Sequence, residues 1–259
     1  MPHSQRACLH GRTAQLCLVA VIALIAETVP ACSQAPADNP YYARTNTYSL
    51  FSAYSNDSSH LLMGEAENRK LLEFGVGYGR KLLQNRFVNW QYNAEFLPVA
   101  MESDPTIVNT VNWTSPIVVT ESGSYTQITH CVPSSGNFTS TEDGKTYSYT
   151  YTNTCSRQWT VGEAISPIGF QWNFLPRRKL QPMFIAHGGY MYTTKPIPIE
   201  SAGTFNFTFD FGPGIELYRS ATKSIRAEFR FHHISDANTT TPNPGIDSGL
   251  FQITYSFGR

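Results

Sequence analysis

Apolar and polar side chains alternate in short stretches over most of the chain beyond residue 46. Successive side chains of a strand point to opposite faces, so a period of two means that each strand separates two environments. Within 71–82, Leu72, Phe74, Val76 and Tyr78 share one face, and Glu73, Gly75, Gly77 and Gly79 share the other. Within 87–98, Val88, Trp90, Tyr92, Ala94 and Phe96 oppose Asn89, Gln91, Asn93 and Glu95. Within 204–218, Phe205, Phe207, Phe209 and Phe211 oppose Asn206, Thr208 and Asp210. The same reading places strands over 47–55, 164–174, 180–192, 224–235 and 249–258, which predicts eight strands and an all-β fold. In a soluble domain the apolar face would be core. In a membrane barrel lipid takes that face and the lumen takes the polar one.

The connections favour the barrel. Those after strands two, four and six are short, while those after one, three, five and seven are long and polar, as in outer-membrane barrels, whose strand number is even. The expected architecture is an eight-stranded antiparallel outer-membrane β-barrel over 47–259, with a long extracellular loop insertion at 101–161. A local hairpin is expected inside that loop, around 146–152.

Composition agrees. Only 15% of the 259 residues are charged, against roughly 25% in a typical soluble domain, and 14 Tyr and 16 Phe suit a lipid-facing wall. Formal net charge is zero, so no nucleic-acid footprint is visible. No apolar run after the leader is long enough for a helical span. At the N-terminus, Arg6 and Arg12 precede an apolar run and the small residues Ala31, Ser33 and Ala35. This predicts a removed export signal over 1–35, followed by a segment at 36–46. Val29-Pro-Ala-Cys32 has the outline of a lipoprotein box. Cys8 and Cys17 leave with the signal; Cys131 and Cys155 remain, and export makes a structural disulfide the expectation for them.

Candidate chemistry gathers near the C-terminus. Strand parity puts His233 and Ser235 on the face that carries Phe229 and Phe231, and Asp247 shares the parity of Phe251 across the hairpin. A serine nucleophile needs a base beside it and an acid that orients the base. His233 and Asp247 can fill those roles. Asn243, in the Pro- and Gly-rich loop between the strands, can donate to an oxyanion. The stretch Asn56-Asp-Ser-Ser-His60 has triad-like composition, but it reads as a polar turn. His187 is expected in the lumen or against a neighbouring strand, and Arg177, Arg178 and Lys179 as solvated charges in a turn.

His233-Ile-Ser235, followed by Asn243-Pro-Gly245 and Asp247, resembles the lipid A 3-O-deacylases, the PagL or acyloxyacyl hydrolase-like family. The resemblance implies Ser235 as nucleophile, His233 as general base and acid, Asp247 as orienting carboxylate and Asn243 as oxyanion donor. It implies an outer-membrane serine esterase that removes a 3-O-hydroxyacyl chain from lipid A, with lipopolysaccharide as partner and neither metal nor cofactor. The family has a glutamate where this chain has Asp247, and Asp236 stands where asparagine is common. A non-catalytic structural or adhesive barrel, an outer-membrane phospholipase or acyltransferase, and a homodimer stay open on sequence grounds.

Overall fold

The computed structural model describes residues 41–114 and 120–259. The expected signal segment, with Cys8, Cys17 and Cys32, lies outside the described residues. Among the described residues ten antiparallel strands form one sheet: β1 (Asn46–Ser55), β2 (Lys70–Gln84), β3 (Val88–Thr114), β4 (Thr120–Ile128), β5 (Ser134–Glu142), β6 (Lys145–Phe174), β7 (Leu180–Thr193), β8 (Phe205–Ser220), β9 (Lys223–Ser235) and β10 (Ile246–Gly258). Pairing of β1 with β10 and of β3 with β6 closes eight of them into a ring, in the order β1-β2-β3-β6-β7-β8-β9-β10. The all-β barrel class is as expected, but the sheet has ten strands rather than eight. The other two come from the stretch expected to be loop.

Most of 101–161 is therefore hydrogen-bonded strand. The last residue of β3 paired with β2 is Ser103, and the last of β6 paired with β7 is Gly162. Beyond that level β3 and β6 keep pairing with each other as far as Thr114 and Ser148. They gain β4 and β5 as outer edges, which gives a four-stranded extension in the order β4-β3-β6-β5. Asp143 and Gly144, both at positive φ (49° and 72°), make the two-residue turn from β5 to β6, a conformation that Asp-Gly adopts readily in hairpins. The disulfide Cys131–Cys155 fastens the β4–β5 connection to β6, with Cα atoms 5.5 Å apart.

Inside the ring the polar faces meet. Arg230 pairs with Glu95 at 2.9 Å, with Glu228 at 2.5 Å and with Asp210 at 3.2 Å. His187 lies in the lumen between Asp210 and Asn93. Near the short-turn end, Arg44 bonds Glu216 at 2.6 Å and Ser224 at 2.7 Å. Buried charges persist only when paired, and an eight-stranded barrel is just wide enough for side chains to fill it. The lumen is thus a packed polar core. Above it, toward the long connections, Leu71, Leu97, Ile197, Ile234, Ile246 and Leu250 form an apolar cap. The segments 56–69 and 194–204 contribute Ala66 and Ile197 to this cap, and the candidate site is built at this end of the barrel.

Candidate active site

β9 and β10 are in a register that places Asp247 directly opposite His233, and Ile246 opposite Ile234. Parity sends Phe229 and Phe251 outward, where they are 49% and 52% exposed, and His233 and Asp247 follow the same faces. The two meet at 2.5 Å between His233 Nδ1 and Asp247 Oδ1. A carboxylate accepting at Nδ1 holds the proton there and leaves Nε2 with its lone pair free, as a general base requires. On the other side of the ring lies Phe209 of β8, its centroid 5.0 Å from that of the imidazole. His233 is therefore fixed between an aromatic wall and an acid.

Ser235 ends β9, and the chain then turns through Ala237 and Asn238, both at positive φ (56° and 61°). Its Oγ accepts from Asn243 Nδ2 at 2.8 Å and from Ala237 N at 3.2 Å. With both lone pairs engaged, the hydroxyl proton is the part left to donate. Among the described residues no hydrogen bond joins Ser235 to His233. The structure thus brings together His233 with Asp247, and Ser235 with Asn243, as two adjoining pairs. Asp236 does not project beside the nucleophile. It is buried, accepts from the Thr240 hydroxyl through its carboxylate, and accepts from Thr239 through its backbone carbonyl, so it braces its own loop.

The stretch expected to be a plain polar turn contributes to the site. Ser58 bridges to Ser248 of β10, and the chain from 59 to 66 lies along 244–247 through Ser59 N to Asp247 O, Glu65 N to Pro244 O and Ala66 N to Gly245 O. The amides of Leu62 and Met63 donate to Asp247 Oδ2 at 2.6 and 2.7 Å. Asp247 therefore uses one oxygen for His233 and the other for this loop. Two glycines allow so close an approach. A Cβ on Gly64 would stand 2.4 Å from Asp247 N; Gly245, at φ +55°, passes His233 Cε1 where a Cβ would stand 3.2 Å away. Sequence reading missed these amides because a backbone donor has no residue-type signature. The one available signal was Gly64 beside three large apolar residues, Leu61, Leu62 and Met63, which are exposed.

Other singled-out residues lie elsewhere. His232 points into the lumen, 3.8 Å from Glu73, although it adjoins His233 in sequence. Among the described residues no group of three or more His, Cys, Asp or Glu is arranged to hold a metal ion. At the base of the extension, above the exposed belt of the barrel, Arg69 Nε meets Asp104 at 2.7 Å and Glu102 at 3.5 Å. Arg157 donates to Ser103 and to the Asn68 carbonyl. Burial pushes the Glu102 carboxyl well above its ordinary range, and the adjacent Asp104 carboxylate pushes it further. Burial likewise raises Asp104, against the pull of Arg69.

A family model described as lipid A 3-O-deacylase (PagL) matches residues 123–256, a little over half of the chain and inclusive of all four candidate site residues. No curated protein matches the sequence. Among solved structures the chain is similar to "Crystal structure of the outer membrane enzyme PagL", at 11% identity and a TM-score of 0.44 over 83% of this chain and 99% of that one. It is similar to Neisserial surface protein A at 9% identity and a TM-score of 0.41, over 82% and 97%. It is similar to LpxR from Salmonella typhimurium at 7% identity and a TM-score of 0.24, over 82% and 100%. None of these comparisons supports the homodimer that the sequence leaves open.

Proposed function

The chain belongs to the lipid A 3-O-deacylase (PagL) family, and from that premise we propose that it is an outer-membrane serine esterase acting on lipid A of lipopolysaccharide through Ser235, His233 and Asp247. The observation that carries the reading is the 2.5 Å pair of His233 and Asp247, next to a serine whose oxygen is held by Asn243. In this reading residues 1–35 are a removed export signal, 47–259 form the barrel, and the site-bearing end faces outward. Ester bonds of outer-leaflet lipid A then lie at the level of the hairpin's rim.

The steps balance without a cofactor. Ser235 Oγ attacks the carbonyl carbon of the 3-O-acyl ester as its proton passes to His233 Nε2. Asp247 keeps His233 in the right tautomer and stabilises the imidazolium that forms. The carbonyl oxygen gains charge, and as an Oγ lone pair forms the new bond, Asn243 Nδ2 and the Ala237 amide, which donate to Oγ in the resting site, pass to that oxygen and stabilise it. Collapse breaks the bond to the sugar oxygen, which takes the proton from His233. Water then attacks the acyl-serine with His233 again as base, releasing a hydroxy fatty acid and free Ser235.

Mass spectrometry of lipid A from a Gram-negative host expressing the chain, beside a Ser235→Ala version, tests this directly. The expected result is loss of one hydroxyacyl mass with the parent and none with the variant. An unchanged lipid A in both hosts, with both proteins folded in the outer membrane, sinks the assignment. Hydrolysis or transfer of phospholipid acyl chains instead would reassign the substrate.

A further inference from the structure

The extension sheet has two unlike faces. On the side that continues the lumen wall, the side chains are mainly hydroxyls and amides, among them Thr110, Asn112, Thr150 and Thr152, with Val108 between. The side that continues the outward wall carries rings. Trp113 of β3 is opposite Tyr149 of β6, and Tyr149 is opposite Phe138 of β5. In the next row Val111 and Tyr151 are flanked by Gly123 on β4 and Gly136 on β5. The rings lie over those glycines: a Cβ on Gly136 would meet the Tyr151 ring at 2.9 Å, and one on Gly123 would come 3.6 Å from Trp113. Phe138 and Tyr149 stack at 4.8 Å with planes 6° apart.

A row of hydrogen-bonding groups borders the rings. Asn109 Nδ2 donates to Asn153 Oδ1 at 2.5 Å, and Asn153 Nδ2 donates to Ser134 Oγ at 2.9 Å. Tyr125, opposite Asn109, is 56% exposed, and Phe138 is 50% exposed. Apart from Glu121 at the sheet edge, these rows carry no charge. An acidic or basic partner would find no counter-charge here, and a wholly apolar one would bury the amide row without partners. Neutral sugar rings fit both features: their C–H faces pack on aromatic rings, and their hydroxyls exchange hydrogen bonds with amides.

Position selects the source of the sugar. Trp113 is ten residues beyond Ser103, the last β3 residue paired to the barrel wall through β2, which is ~30 Å along a strand. Trp159, opposite Ser103, and Val161, opposite Met101, are exposed on the same outward face where the extension leaves the barrel, and Arg157 stands one row above them. In the ring order, β3 and β6 are half a turn from β9 and β10. We propose that this ringed face binds the neutral saccharide chain of a lipopolysaccharide molecule standing in the same leaflet, a neighbour of the molecule at Ser235. The inference rests on the outer-membrane reading above, but not on hydrolysis at Ser235.

The test uses the full chain in detergent and the delipidated neutral oligosaccharide released from host lipopolysaccharide, with binding followed by calorimetry. Trp113→Ala combined with Tyr151→Ala should weaken binding ~10-fold or more, given two lost ring contacts. Hydrolysis of sugar-free lipid A should be unchanged in this variant, and Ser235→Ala should bind the oligosaccharide like the parent. Phe138→Ala, at the exposed edge, should weaken binding several-fold and decides the matter should the double variant fail to fold. Parent-like binding by a folded ring variant overturns the proposal, as does no binding by the parent. A face that instead holds a second copy, shown by a dimer that the ring variants dissociate, overturns it as well. Loss of deacylation in the parent would leave the binding result readable, so failure of the esterase reading is distinguishable.

Discussion

The β9–β10 hairpin and the β3–β6 extension are both long polar excursions from the same end of the barrel, yet they are held in opposite ways. The hairpin's rim is braced from three sides. Phe209 flanks His233, the 59–66 segment lies over Asp247, and the apolar cap supports Ile234 and Ile246 from below. Its polar groups are fixed by one another, which is what a preorganised site needs. The extension has no such cover. It is one sheet with solvent on both faces, held by its backbone ladder, its ring row and Cys131–Cys155. The difference teaches that a buried polar cluster specifies positions, whereas an exposed sheet specifies only a surface.

The sharpest way to break the comparison is at the buried carboxylate beside His233. Asp247→Asn keeps the shape but removes the acceptor that sets the His233 tautomer, so turnover should fall by roughly 10³- to 10⁴-fold. Circular dichroism of the variant should remain that of a barrel. A variant within a factor of ten of the parent would show that Asp247 does not orient the base.

The extension should respond in stability rather than in rate. Cys131→Ala with Cys155→Ala opens a loop of 24 residues, for which a loss of about 3 kcal/mol is typical. Limited proteolysis should then cut within 129–133 sooner, while lipid A hydrolysis stays near the parent rate. A large loss of hydrolysis would tie the two regions together and contradict their independence.

Gly64 comes next in size. A Cβ there would stand 2.4 Å from Asp247 N, so Gly64→Ala must push the 62–63 amides off the carboxylate or shift Asp247 itself. Displacement of about 1 Å at a catalytic group can cost ~10²-fold, and a loop able to yield should lose less, on the order of 10-fold in kcat. Unchanged kcat would mean that the 59–66 segment covers the site without positioning it.

These two regions also differ in how far their sequences disclose them. For the hairpin, parity alone put His233, Ser235 and Asp247 on one face, because each strand between lipid and lumen must alternate. The lumen network was legible for the same reason: Asn93, Glu95 and Asp210, opposite rows of rings, had nowhere else to go. Most of the extension was not legible, because a strand without a buried face need not alternate apolar with polar, and 13 of the 23 residues in 120–142 are Ser, Thr, Gly or Asn. Tyr147, Tyr149 and Tyr151 did alternate, and the hairpin expected around 146–152 caught that alternation but not its place: 146–152 lies wholly within β6, and the turn is Asp143-Gly144, a hairpin signal in its own right. The Leu62 and Met63 amides had no residue-type signature to find.

The smallest expected effect is at the base of the extension, where the two regions share a wall. Glu102 is buried beside Asp104 and Arg69, and its carboxyl is raised well above the ordinary 4.5. A raised folded-state value means that the native state holds this proton more tightly than the unfolded chain does. Its contribution is therefore complete below about pH 4.5 and is lost as pH rises toward the folded value. Glu102→Gln cannot ionise, so it removes this loss while keeping a neutral side chain of the same length beside Arg69. The variant should match the parent in acid and melt later by a few degrees in mildly alkaline buffer, an effect of about 1 kcal/mol or less once Arg69 and Arg157 have readjusted. Thermal melts across pH 5 to 9 check it. A variant less stable than the parent at every pH would mean that Glu102 is held ionised by Arg69, and that charge pairing rather than a shared proton joins the extension to the barrel.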